Sequence, residues 1–396
     1  TGTATTSKIF KDGAGTLVIS NNGSTGDAQM QVANGKVTLA AGSYSTNTGT
    51  GTRGLDVGLD SADQASTTDA AFYVNGGVTM SNSIYVAPAT NGLGLRTLGT
   101  ESGSGTATFN NEIYLGGDLR VSAAGGGTAA FSGNIINNGA ITKVGAGKVT
   151  LSGTNTSVGG ITISEGTLAI SGGSAINNVN SVAVASGATF EVNGSETINA
   201  LSGAGSVVLA SGQQLRSRFD TTSSTFSGGM SGAGQFLKGG SGTLVLSGAN
   251  SYSGLTTFEA GTILAGHNDA FGTSTVMFDW SDNSAKTMAA NGATARTIAN
   301  SIQIYNNLTL GQSTVNTGSL TFSGGVALGN EAGTREITVA DGTSHTFSGV
   351  VSGLRGIVKK GTGSLTLSGN NTFSGASYLV GGPTVLSGNT GAGSGG

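Results

Sequence analysis

The sequence predicts an all-β chain wound as an elongated parallel β-solenoid, with no substantial helix. Three observations predict it. One motif returns four times along 396 residues, the residues around it alternate with a period of two, and glycine fills 72 positions while proline fills only 2. A coil of short strands needs a corner every few residues, and Gly, Asn and Asp tolerate the positive φ that tight corners require.

The motif is Lys-x-Gly-x-Gly followed by an alternating strand. Its copies start at Lys11 (with Gly13 and Gly15), Lys143 (Gly145, Gly147), Lys238 (Gly240, Gly242) and Lys359 (here Lys359-Lys360-Gly361-Thr362-Gly363). The last three continue as Ser-Gly-x-Asn. Phe131-Ser132-Gly133, Phe226-Ser227-Gly228 and Phe347-Ser348-Gly349 each begin 12 residues before the motif lysine. Segments such as Thr16-Leu17-Val18-Ile19 and Ser364-Leu365-Thr366-Leu367 alternate apolar with small or polar residues, the signature of a short strand. Turn pairs such as Asn34-Gly35, Asn75-Gly76 and Asp341-Gly342 separate them. No apolar 3.6 period runs over ten residues, and this glycine density is costly inside helices.

The intervals between motif lysines are uneven, at 132, 95 and 121 residues. A solenoid absorbs such drift in its loops more easily than a closed barrel. Residues 1–396 are therefore read as a single continuous solenoid. Repeat motifs lie near 8–42, 131–173, 226–266 and 347–388, with a possible insertion at 43–71 and a Gly/Ser-rich tail at 388–396. At roughly 20 residues per coil this gives about 20 coils, a rod on the order of 100 Å long.

Composition excludes several classes. Charged residues are 9% of the chain and net charge is -3, so there is no basic stripe for phosphate and no nucleic-acid partner is expected. No apolar run approaches the length of a spanning helix. Cysteine is absent, which removes disulfides and thiolate chemistry. The N-terminal Thr1-Gly2-Thr3-Ala4 reads as a processed or trimmed end.

The order Phe-Ser-Gly, Lys-x-Gly-x-Gly-Thr-Leu-x-Leu-Ser-Gly-x-Asn-x-Tyr-Ser-Gly, then Glu259-Ala260-Gly261-Thr262 resembles the passenger-associated transport repeat of bacterial autotransporters. Phe226 to Leu264 carries the resemblance most fully, Lys143 to Ile170 and Lys359 to Gly375 carry it well, and Lys11 to Leu39 is degenerate. The resemblance implies a secreted, right-handed parallel β-helix at a bacterial cell surface, with no catalytic residues in the repeat. Whole autotransporters end in a membrane β-barrel. This chain ends instead in the Gly/Ser-rich tail, so the expectation is that the barrel has been cleaved or omitted, or that the repeats serve another secreted architecture.

Asp56, Asp60, Asp63 and Asp69 form the densest acidic stretch, readable as a weak Ca²⁺ or carboxylate site or, preferably, as a solvated loop. His267 and His345 lie far apart and beside no nucleophile motif, so surface or corner positions are expected for both. Gly391-x-Gly393-x-x-Gly396 follows no βα unit and is tail, not a dinucleotide fingerprint. Lys11, Lys143, Lys238 and Lys359 read either as a glycan or lipid contact row or, preferably, as corner charges that keep strand edges soluble. Phe131, Phe226, Phe347, Phe322, Phe109, Tyr252 and Phe373 read as a sugar-stacking ladder or, preferably, as stacked core aromatics. Trp280, with Phe278 and Tyr305, is a weak candidate contact surface.

The expectation is a non-enzymatic, cofactor-free stalk, scaffold or filament subunit outside a bacterial cell. Its partners would be copies of itself, paired head-to-tail through open solenoid ends, or the cell-surface matrix. An adhesin for glycans or host surfaces is the alternative, with residues 43–71 its best location. A polysaccharide lyase or hydrolase is the remote one.

Overall fold

The alternating segments form short strands whose apolar residues turn inward. Lys148–Leu151 buries Val149 and Leu151 and leaves Lys148 and Thr150 half-exposed. Ser364–Leu367 does the same with Leu365 and Leu367. A computed structural model describes residues 8–20, 29–41, 43–44, 54–218, 221–279 and 284–388, and contains no helix among them. The architecture is a parallel β-solenoid, found in two compact units, Thr1–Ile198 and Asn199–Gly396.

In the first unit three parallel faces stack coil on coil. One runs from Lys8–Lys11 to Ile135–Asn137. The second runs from Thr16–Ile19 to Val182–Val184. The third runs from Ser43–Tyr44 to Thr189–Val192. In the second unit, parallel faces run from Gln214–Ser217 to Val351–Ser352, from Ser223–Phe226 to Tyr378–Leu379 and from Arg296–Ile298 to Thr384–Leu386.

Because register is kept from coil to coil, like residues stack inside. Phe109, Phe131, Leu151, Ile170 and Val192 form one column, with the two Phe rings stacked at 4.6 Å and 5°. Phe322, Phe347 and Leu367 form another, its rings edge-on at 5.3 Å. Each buried Phe contributes about 1.5–3 kcal/mol through area alone, and a ring pair about 0.5–1.5 kcal/mol more.

The two units hold about 16 turns, not the expected 20 or so. Coil length explains the difference. Ile141 pairs with Ile161, a 20-residue coil. Leu55 pairs with Ile84 and Ile84 with Ile113, so these coils take 29 residues because loops leave the tube between strands. The motif coils set the assumed length, and the loop-bearing coils exceed it.

Candidate functional site

The repeat motif builds a set of inter-coil staples. Gly13, Gly145, Gly240 and Gly361 all have φ between +70° and +79°, a conformation that L side chains avoid. This turn curls its carbonyls around the motif lysine. Lys143 Nζ donates to the carbonyls of Val144 at 3.0 Å and Gly145 at 2.6 Å, and to Glu165 of the following coil at 3.0 Å. Lys238 repeats this with Gly239, with Gly240 at 3.0 Å and with Ala260 at 3.4 Å. Lys359 donates to Gly361 at 2.9 Å and Gly381 at 2.5 Å.

Lys143, Lys238 and Lys359 are fully buried. They lie in the last residues of strands, just before the Gly turn, and their charge turns inward onto carbonyls instead of keeping an edge wet. The physical reason is supply: a coil corner leaves carbonyls outside the strand ladder, and an ammonium offers three donors. Burial lowers the Lys143 pKa to about 8 against the pull of the Glu165 carboxylate, and burial lowers Lys359 as well. Lys11 makes the same contacts, to Asp12, Gly13 and Asn34, at a half-buried site.

A second staple comes from the Asn of Ser-Gly-x-Asn. Asn155 Oδ1 accepts the Ile135 N–H at 2.7 Å and its Nδ2 donates to the Ala175 carbonyl at 2.6 Å. Asn250 repeats both bonds, with Met230 at 2.7 Å and Ala270 at 2.6 Å. Each therefore ties the coil before it to the coil after it, 20 residues away on both sides. Asn371 accepts the Val351 N–H at 2.9 Å. Its buried Nδ2 has no acceptor among the described residues.

The fixed Phe offset now has a cause. Phe131 pairs with Leu151, Phe226 with Leu246 and Phe347 with Leu367, so Phe-Ser-Gly lies one coil before the motif strand. The glycines follow the same register: a Cβ on Gly153, Gly248 or Gly369 would fall 2.0–2.2 Å from the carbonyl oxygen of Gly133, Gly228 or Gly349.

Asn371 belongs to the far end of the second unit. There Ile357, Leu365, Leu367, Phe373 and Leu386 line a cavity of about 240 Å³ that also receives Asn371 and Lys359. Leu379, Val380, Val385 and Leu386 around it are 46–66% exposed.

The insertion expected at 43–71 lies partly outside the described residues, at 45–53. Its described part loops out after Leu55–Val57 and returns at Ala70–Val74. A second excursion, missed in the sequence, leaves Ile84–Val86 and returns at Arg96–Thr100. Arg96 binds the two together from a buried position: Nη1 donates to Thr68 O at 2.7 Å, and Nη2 to the carbonyls of Ser66 and Pro88. Thr90 Oγ1 adds a bond to Ala65 O at 2.9 Å. Burial lowers the Arg96 pKa, opposed by Asp69.

The acidic candidates do not converge. Asp56 is buried and accepts from Gln29. Asp60 caps its own turn through the N–H groups of Ala62 and Gln64 at 2.9 Å. Asp63 is held below the usual carboxylate range by Lys8 at 2.9 Å and by the Gln31 amide. Among the described residues no three His, Cys, Asp or Glu side chains are grouped to hold a metal.

His267 is exposed, as expected. His345 is not: it is buried, Nδ1 accepts the Leu320 N–H at 3.0 Å, and Nε2 meets Thr343 Oγ1 at 3.1 Å. Its neighbour across the coil is Leu365, so it occupies a core position where an imidazole can satisfy the backbone. Burial lowers its pKa to about 4. Phe109, Phe131, Phe226, Phe322, Phe347, Tyr252 and Phe373 are all buried, so they form core columns and cannot stack sugars. Trp280 lies outside the described residues, and Phe278 is buried against Phe258.

The passenger-associated-transport-repeat family matches residues 141–170, 236–265 and 357–393, the three segments that hold the buried lysine cages. The chain carries three passenger-associated-transport repeats. These repeats also occur beside a wider likeness: the chain is 32% identical over 214 residues to the adhesin BmaC autotransporter of Brucella suis biovar 1 (strain 1330), across 51% of this chain and 6% of that adhesin. The chain thus spans a small fraction of that relative. No solved structure matches it.

Proposed function

We propose that the chain is a non-enzymatic segment of a surface-exposed autotransporter passenger, acting as a scaffold that holds adhesive loops away from the cell. The observation that carries this reading is the pairing of Lys and Asn staples in each repeat. They fix one coil to the next at a constant register, which suits a stiff support of extendable length. The likeness to an autotransporter adhesin supports the location and the class. The paired excursions pinned by Arg96 supply an exposed loop surface of the kind an adhesin uses.

The test is antibody labelling of intact cells expressing the natural gene, with an intracellular protein as control. Labelling of intact cells and its loss on external protease treatment are expected. Labelling only after permeabilisation contradicts the reading.

A second reading, end-on association of copies, is favoured by the exposed Leu379, Val380, Val385 and Leu386 around the apolar cavity. A second copy seated there would cover these apolar side chains. Sedimentation and electron microscopy should then show concentration-dependent lengthening that Val380→Glu suppresses. Particles of one length at every concentration contradict it.

A further inference from the structure

A basic hollow in the second unit has no part in the staples or the core. Gly333–Val339 and Arg355–Lys360 pair in parallel, with Gly333 opposite Arg355 and Arg335 opposite Ile357. Two residues apart in register, Arg335 and Arg355 occupy the same sheet face. Both are only partly exposed. The turn that precedes Arg335 runs over Gly329, whose φ is +96°. A carbon placed on Gly329 would lie 3.5 Å from Arg335 Nη2, 3.7 Å from Arg355 Nε and 3.8 Å from the Tyr305 ring. Two guanidinium groups and an aromatic edge therefore converge on a floor that has no side chain of its own.

The charges in this hollow are poorly compensated. Arg335 Nε donates to the Ile304 carbonyl at 2.8 Å, a neutral acceptor. Arg355 Nη2 meets Glu331 Oε2 at 2.7 Å, yet the Glu331 side chain is 83% exposed. A carboxylate that exposed adds little to such a pair, because solvent screens it. Arg355 Nε is buried with no partner, and a buried donor left unmade is costly. Arg335 is pushed below its ordinary pKa first by burial and then by Arg355, with Glu331 and Tyr305 opposing.

We propose that Arg335 and Arg355 form a binding site for the oxyanion of an acidic polysaccharide, a carboxylate or sulfate group, and that Glu331 is an internal competitor for it. A guanidinium fork matches planar carboxylate and sulfate oxygens in pairs. Glu331 already places one carboxylate oxygen on Arg355 Nη2, from a side chain that is largely exposed, and leaves Nε of the fork unmet. Tyr305 gives the sugar ring an apolar neighbour. The inference deepens the adhesin side of the proposed function and rests on the surface reading only for where the ligand would be met.

The test is calorimetric titration of the intact chain with a sulfated oligosaccharide, a polyuronate oligomer and a neutral dextran oligomer. At least one acidic oligomer should bind, the dextran should not, and binding should weaken as salt rises. The sulfated and uronate arms decide which oxyanion is preferred. Arg335→Gln and Arg355→Gln should each lower affinity about tenfold or more, the scale of a lost charged hydrogen bond. Arg355→Lys, which keeps the charge without the fork, should fall between Arg355→Gln and the parent chain. Glu331→Gln should raise affinity about two- to fivefold by removing the competitor. Failure of both acidic oligomers, equal binding by the Gln variants at unchanged melting temperature, or weaker binding by Glu331→Gln would each overturn the proposal. None of these outcomes alters the cell-labelling result, so the two readings fail separately.

Discussion

Asn250 donates its side-chain amide to the Ala270 carbonyl at 2.6 Å while accepting the Met230 N–H on its other side. Both backbone groups belong to buried residues, so removing the amide strands a donor and an acceptor together. Asn250→Ala should cost about 2–6 kcal/mol, at about 1–3 kcal/mol for each unsatisfied group. Asn155→Ala, which breaks the equivalent pair of bonds to Ile135 and Ala175, should cost about the same. Urea unfolding of both variants, read by circular dichroism, checks the ratio as well as the size.

The lysine cages make a parallel case. Lys238→Met leaves the Gly239, Gly240 and Ala260 carbonyls without their shared donor and should destabilise the chain by about 2–4 kcal/mol. Lys11→Met, at a half-buried copy, should cost less than about 1 kcal/mol. Equal losses at both sites, measured by the same unfolding experiment, would show that burial does not set the value of the cage.

His345 gives a pH dependence of known sign. Its folded pKa of about 4 lies below the ordinary 6.5, so the unfolded chain binds the proton more readily. The stabilisation is complete above pH 6.5 and is lost as pH falls towards 4, up to about 3 kcal/mol in total. His345→Gln should flatten the stability profile relative to the parent chain between those limits. An unchanged slope would mean that the imidazole is not held neutral in the core.

The coiled architecture was legible because its causes are local. Val149 and Leu151 alternate with polar neighbours, and Gly145 marks the turn that a positive φ demands. The core role of Phe131 was legible too, since its constant distance from Lys143 reflects its pairing with Leu151. The fate of the lysines was not. A charge beside glycines reads as solvated, and only the coil register brings the Glu165 carbonyl, 22 residues on, to Lys143. The Asn of Ser-Gly-x-Asn reads as a motif letter without a task, although its recurrence 24 residues after the Phe of Phe-Ser-Gly is a usable signal. Arg96 gave none, because its partners Ser66 and Pro88 come from two loops of irregular sequence.

The register of stacked parallel coils underlies every contact described, and cysteine cross-linking tests it most directly in a chain that has no cysteine of its own. Thr162 and Ala183 are directly opposed on adjacent coils and face outward, and parallel strands lie about 4.8 Å apart, within the Cα separation a disulfide accepts. Thr162→Cys combined with Ala183→Cys should oxidise to a single intramolecular disulfide while the fold is kept. Two thiols that stay free under the same oxidant in a folded chain would contradict the stacked-coil account.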